Sequence, residues 1–201
     1  MEKTTKPVTT KKKKKKGKKE ITIVNIVVST ALEKDIPLEK MAATLPNTEY
    51  NPEQFPGLVL RIDKPVSTAL IFSSGKIVST GTTSLEDVKR SIARLIEIVE
   101  SIGIKIPVRD PAFEVVNMVA KGNIGIDLNL NQLALQLENT EYEPEQFPGL
   151  VFRLPDESDR KGATFLLFRN GKIVCTGTKD EAQVERSIEK LLVILKGINK
   201  K

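Results

Sequence analysis

Of the chain's 201 residues, 39% are hydrophobic, enough to bury one large core or two small ones. No apolar run approaches the length of a bilayer crossing and the basic N-terminus leads into no apolar leader core, which argues against a helical membrane protein and against secretion. A formal charge of +6 points toward an anionic partner, while the absence of histidine, of a second cysteine, of a P-loop and of a Gly-x-Gly-x-x-Gly turn argues against an enzyme and against a bound metal or other cofactor.

Most of the charge excess sits at the start, in Lys11–Lys16 with Lys18 and Lys19. Such a block cannot bury apolar surface, so residues 1–20 are expected to form a disordered arm. It reads equally as a solubilising tail or as a non-specific phosphate-binding arm.

From Ile21 onward the chain repeats itself. Thr48 to Val59 reads Thr-Glu-Tyr-Asn-Pro-Glu-Gln-Phe-Pro-Gly-Leu-Val and recurs from Thr140 to Val151 with one change, Glu143 for Asn51, at a displacement of 140 − 48 = 92. Val24-Asn25 returns as Val116-Asn117 at the same displacement. Gly75-Lys76-Ile77-Val78 returns as Gly171-Lys172-Ile173-Val174 at 171 − 75 = 96, which places a four-residue insertion near Asp156 to Gly162. Two copies, residues 21–110 and 111–201, are too few and too long for a solenoid and predict one pseudo-twofold object.

Each copy reads as a strand, a short helix, several strands and a long helix, an α+β pattern. Val88, Ile92, Leu95, Val99 and Ile102 form an apolar stripe at helical spacing, and Val184, Ile188, Leu191, Leu195 and Ile198 repeat it. Ser84 with Asp87, and Asp180 with Gln183, stand where an N-cap and its third-position partner belong. The strands do not alternate apolar with polar residues, as a sheet covered on one face would. Val24, Ile26 and Val28 are assigned to one face of the first strand, yet Val27 lies on the other beside Asn25. Ala69 and Ile71 oppose Leu70 and Phe72; Ile77 opposes Val78 and Thr80. The second copy agrees at Asn117 and Val119, Leu166 and Phe168, and Val174 and Thr176. The long helices can cover only one face, so a broad apolar face is left that must meet a partner, a second sheet or a second copy of the chain. The lone Cys175 falls in an apolar strand pattern and reads as core, in keeping with a reducing compartment.

These same segments resemble the TATA-binding protein family from about Ile21 to the C-terminus. The resemblance is carried by Val-Asn-Ile-Val-Val-Ser-Thr (Val24 to Thr30), Glu-Gln-Phe-Pro-Gly-Leu-Val in both copies, Ala-Leu-Ile-Phe-Ser-Ser-Gly-Lys (Ala69 to Lys76) and Val-Asn-Met-Val (Val116 to Val119). The near-identity of the repeated block resembles the archaeal form, which implies a cytoplasmic protein at the nucleoid, or a nuclear one in a eukaryote. The resemblance implies a saddle: a curved ten-stranded antiparallel sheet with four helices on its convex face and double-stranded DNA, entered through the minor groove and bent, on the concave face.

Carried over position by position, the resemblance makes Phe55 with Phe72 and Phe147 with Phe168 two wedge pairs. Asn25 and Asn117 would donate to minor-groove acceptors near the pseudo-dyad, with Thr80 and Thr176 as further polar contacts. Val27, Leu70, Val78, Val119, Leu166 and Val174 would press on the groove floor, where a guanine amino group would be left without water. Arg61 and Arg153 match phosphate-contacting positions, with Lys76 and Lys172 as weaker candidates. Tyr142, Glu143, Glu145 and Gln146 fall in the loop to which transcription factor B docks in this family, with RNA polymerase recruited through it. Glu53-Gln54 and Glu145-Gln146 depart from relatives with basic residues there, and Arg169-Asn170 stands where the first copy has Ser73-Ser74. A single-strand binder using exposed phenylalanines as stacking platforms is the alternative.

Overall fold

The computed structural model describes residues 20–155 and 162–198. Residues 1–19 of the lysine-rich arm and the loop Asp156–Lys161 lie outside the described residues, as do the last three positions.

The first copy runs β1 (Glu20–Ala31), α1 (Leu38–Thr44), β2 (Thr48–Glu49), β3 (Gly57–Asp63), β4 (Val66–Phe72), β5 (Lys76–Thr82) and α2 (Leu85–Ser101). The second runs β6 (Phe113–Asn123), α3 (Leu130–Gln136), β7 (Thr140–Glu141), β8 (Leu150–Arg153), β9 (Thr164–Leu167), β10 (Lys172–Thr178) and α4 (Glu181–Ile198). All ten strands join one curved antiparallel sheet in the order β2-β3-β4-β5-β1-β6-β10-β9-β8-β7. The order reads the same from either end, and the seam between the copies is the β1–β6 pair.

The long helices begin where the capping residues predict. Ser84 Oγ accepts from the Asp87 amide at 3.1 Å. Asp180 Oδ1 accepts from the Gln183 amide at 2.7 Å, while Gln183 Oε1 reaches back to the Lys179 amide at 2.8 Å. The Asp87 and Gln183 amides belong to first helical turns, which leave them without carbonyl partners. Val88, Ile92, Leu95 and Val99 are buried, as are Val184, Ile188, Leu191 and Leu195, and Ile96 and Leu192 widen the two stripes. Full burial of such a side chain contributes about 1.5–3 kcal/mol. Ile102 and Ile198, the last residues of the predicted stripes, are only half-buried against the core.

The stripes pack on the sheet residues of one parity: Ile26 and Val28 of β1, Leu58 and Leu60 of β3, Ala69 and Ile71 of β4, and Ile77 of β5, with their second-copy counterparts. No helix among the described residues is long and apolar enough to cross a membrane. Cys175 belongs to this core at 0% exposure, and burial pushes its thiol from the ordinary 9.0 up to about 11. At pH 8 the thiol of the native protein is therefore expected to resist alkylation and to react once the chain is unfolded. Equal rates with and without denaturant would put it at the surface. Between about pH 9 and 11 the unfolded chain loses this proton first, so the group's contribution to stability declines as pH rises through that window.

Candidate nucleic-acid interface

The opposite parity of the sheet forms an open face with its own twofold pattern. Across the seam, Asn25 pairs with Val119 and Val27 pairs with Asn117, so two asparagines and two valines occupy opposite corners of a central quartet. The register that makes this possible depends on bulges. Between Ile23 and Asn25 two steps on β1 match one on β6, which makes Val24 an extra residue; between Val27 and Val28 the extra residue is Val116 on β6. Val24 accordingly does not belong to the core face assigned to it from simple alternation: the bulge interrupts the period of two on which that assignment depends.

A second pair of bulges orients the asparagines. Opposite Val27, strand β5 carries an extra residue at Thr80-Gly81, and β10 does the same at Thr176-Gly177. Gly81 and Gly177 have φ of 102° and 84°, a region that side chains strongly disfavour. The bulge turns the Gly81 amide out of the ladder, and Asn25 Oδ1 accepts it at 2.8 Å together with the Thr80 hydroxyl at 3.1 Å. Asn117 Oδ1 accepts the Gly177 amide at 2.9 Å and lies 3.2 Å from Thr176 Oγ1. Asn25 Nδ2 has no partner among the described residues, whereas Asn117 Nδ2 donates one N–H to Thr176 Oγ1 at 3.1 Å and keeps its second N–H to donate elsewhere. Thr80 and Thr176 thus act on the asparagines.

Outward from the quartet, cross-strand partners continue in rows. Val78, Leu70 and Val59 lie side by side on the first copy, and Val174, Leu166 and Val151 on the second. All six are half-buried by their neighbours, so the apolar face is less exposed than the sequence pattern alone implies. At each end two phenylalanines meet edge to face. The ring centroids of Phe55 and Phe72 are 5.8 Å apart at 65°, and those of Phe147 and Phe168 are 5.9 Å apart at 68°. Phe55 and Phe147 are 41% and 40% exposed, unusual for so large an apolar side chain. Each pair lies over a glycine: a Cβ at Gly57 would meet Phe55 at 2.7 Å and Phe72 at 3.2 Å, and one at Gly149 would meet Phe147 at 2.6 Å and Phe168 at 3.0 Å.

The family model described as transcription factor TFIID (or TATA-binding protein, TBP) matches residues 20–102 and 112–198, one match for each copy. The chain belongs to the TATA-binding protein family. It is 47% identical over 173 residues to the TATA-box-binding protein of Pyrococcus abyssi, covering 86% of this chain and 88% of the relative. It is 45% identical over 179 residues to that of Methanocaldococcus jannaschii, covering 89% and 95%. The solved structure of Methanococcus jannaschii TBP superposes with a TM-score of 0.78 at 46% identity, over 90% of this chain and 99% of that one.

Of the remaining candidate residues of this TATA-binding protein family member, Arg61 and Arg153 lie on β3 and β8 toward the two ends of the sheet, and Lys76 and Lys172 open β5 and β10 beside the central pair. Arg61 and Arg153 are exposed, but neither guanidinium is idle: Arg61 is 2.8 Å from Glu49, and Arg153 is 2.7 Å from Glu141. The Arg153 hydrogen bond, and then its charge, hold the Glu141 carboxyl below its usual range. Any anion drawn to these arginines competes with a carboxylate already in place. Lys76 and Lys172 are exposed.

Of the predicted partner loop, Glu143, Glu145 and Gln146 are exposed, and Tyr142 is half-buried, packed against the core. The Glu143 carbonyl accepts from the amides of Gln146 and Phe147 at 3.0 and 2.9 Å, a tight turn that delivers Phe147 to Phe168; Asn51 does the same for Phe55. The sequence-based reading missed Gly57, Gly149, Gly81 and Gly177. Their recurrence in both copies was the available signal.

Proposed function

We propose that this chain is a transcription initiation factor that seats A·T-rich (TATA) promoter DNA on its open face through the minor groove, bends it, and recruits transcription factor B and, through it, RNA polymerase. The observation that carries this reading is the twofold arrangement itself: a central pair of asparagines whose oxygens are held by glycine amides, apolar rows on either side, and an edge-to-face phenylalanine pair at each end. An A·T pair shows only acceptors in the minor groove, which suits the amides, and guanine adds an amino group that the valine and leucine rows cannot pair. The phenylalanines supply wedges. Opening a base step costs a few kcal/mol, a feature known for minor-groove architectural proteins including this family, and burial of aromatic surface against the opened bases offsets it.

The direct test is competition between an A·T duplex and either of its single strands. Duplex preference is expected, and equal affinity for the single strand would replace the groove with a stacking platform. Bending is tested separately by energy transfer between dyes at the two duplex ends. Phe72→Ala and Phe168→Ala should each reduce the bend and speed dissociation, with less effect on association. Unchanged bending in both variants would remove the wedge role.

Gly57→Ala and Gly149→Ala should act on the same quantity without touching DNA. The added methyl displaces the tip of a movable ring and not the backbone, so the melting temperature should stay near that of the parent. The edge-to-face contact, worth about 0.5–1.5 kcal/mol, should be lost and the bend reduced. A large fall in melting temperature with normal bending would make these glycines purely structural.

A further inference from the structure

The twofold pattern of the open face is broken in its charges. Strand register places Glu114, Ser29, Val78, Leu70 and Val59 in one cross-strand row of the first half. The equivalent row of the second half is Thr22, Lys121, Val174, Leu166 and Val151. The apolar members correspond, and the two seam-side members do not. Lys121 replaces Ser29 and Thr22 replaces Glu114, both at the displacement of 92 (121 − 29 and 114 − 22). At the adjacent hairpin turn Arg169 replaces Ser73, at 169 − 73 = 96. The second half therefore gains two lysine or arginine charges and sheds a carboxylate.

Lys121 is exposed on the open face, because its partners Thr22 and Val174 face that way, and it makes no ion pair with another described residue. Thr22, Lys121, Asn123, Phe168, Lys172 and Val174 line one depression, so the ammonium shares its space with a wedge ring and a floor valine. On the first half, Glu114 is joined to Lys179 at 2.7 Å, which leaves a carboxylate oxygen beside Ser29 with the capacity to accept.

We propose that Lys121 fixes the direction in which the protein lies on DNA, an inference that rests on the minor-groove function proposed above. An ammonium only donates, so it matches a groove floor of adenine N3 and thymine O2 acceptors and opposes a guanine amino group. A hydroxyl and a carboxylate both accept, so Ser29 and Glu114 tolerate that amino group. On an element interrupted by one G·C pair near one end, the uninterrupted half lies under the second repeat and the G·C pair under the first.

The test is energy transfer from a donor at one duplex end to an acceptor on Leu135→Cys, an exposed α3 position in the second copy, with the buried Cys175 silent to labelling. The protein with Lys121 intact should favour one orientation by about fivefold or more, the low end of what a good base contact discriminates. Lys121→Ser should bring the two orientations close to equal, and Ser29→Lys combined with Lys121→Ser should invert them, with melting temperatures unchanged. Orientation bias that survives both variants, or its absence while the duplex is bound tightly, overturns the role of Lys121 and leaves the function standing. Failure to bind the duplex at all overturns both.

Discussion

Replacing the A·T pairs of a well-bound element with inosine·cytosine is expected to preserve much of the affinity, whereas guanosine·cytosine should lose about 1–3 kcal/mol per central pair. An inosine·cytosine pair shows the minor groove the same acceptors as A·T but carries different groups in the major groove. In the proposed function the open face addresses only the former, through the amide nitrogens of Asn25 and Asn117. Their orientation is not free to adapt, because the amides of Gly81 and Gly177 hold each side-chain oxygen inward. Asn25→Ala with Asn117→Ala should therefore weaken binding to the A·T and inosine elements alike. It also strands the two glycine amides, so melting temperatures belong beside the titrations. If the inosine element binds as poorly as the guanosine one, recognition lies outside the minor groove and the proposed mechanism is wrong.

The second large effect concerns the loop that delivers Phe147. Glu143→Lys with Glu145→Lys should abolish recruitment of transcription factor B, at least about a hundredfold, while leaving DNA affinity equal or improved. Both side chains are exposed, and the turn is held by the Glu143 backbone carbonyl, which the substitution keeps. The side-chain bond from Gln146 Nε2 to Glu143 at 2.6 Å is lost, but it is exposed and adds little. A basic partner surface would then face like charge, and such juxtaposition costs several kcal/mol. Gel shifts of the binary and ternary complexes check both halves of this expectation. Collapse of the binary complex would assign the loop to the DNA surface.

The repeat, the stripes of α2 and α4 and their caps were legible because each follows from periodicity or local chemistry. The open face was legible as a violation of alternation, and Phe55, Phe72, Phe147 and Phe168 were legible as recurrences. Val24 was misassigned because a bulge is invisible to a period of two. The grip of Gly81 and Gly177 on the asparagines was hidden for a related reason: it joins residues 56 and 60 positions apart through a strand pairing that no local window contains. Engagement of Arg61 by Glu49 and of Arg153 by Glu141 was likewise hidden, since register alone brings those edge residues together. The charge difference between Lys121 and Ser29 stood in the sequence from the start but had no meaning until the row each belongs to was known.

The seam between β1 and β6 has a consequence for how such a molecule comes into being. One copy alone would present the long edge of β1 to solvent, a row of unsatisfied amides and carbonyls beside apolar side chains. Because Asn25 sits against Val119 and Val27 against Asn117, the same corner-to-corner quartet would close between two identical copies of a half-length chain. Tandem duplication within one gene turns that assembly into a folding unit whose completeness no longer depends on concentration. It also releases the halves from being identical, so that one strand can acquire a lysine where its twin keeps a serine. A fused pair keeps the symmetric seam and is free to carry an unequal pair such as Ser29 and Lys121 on its open face.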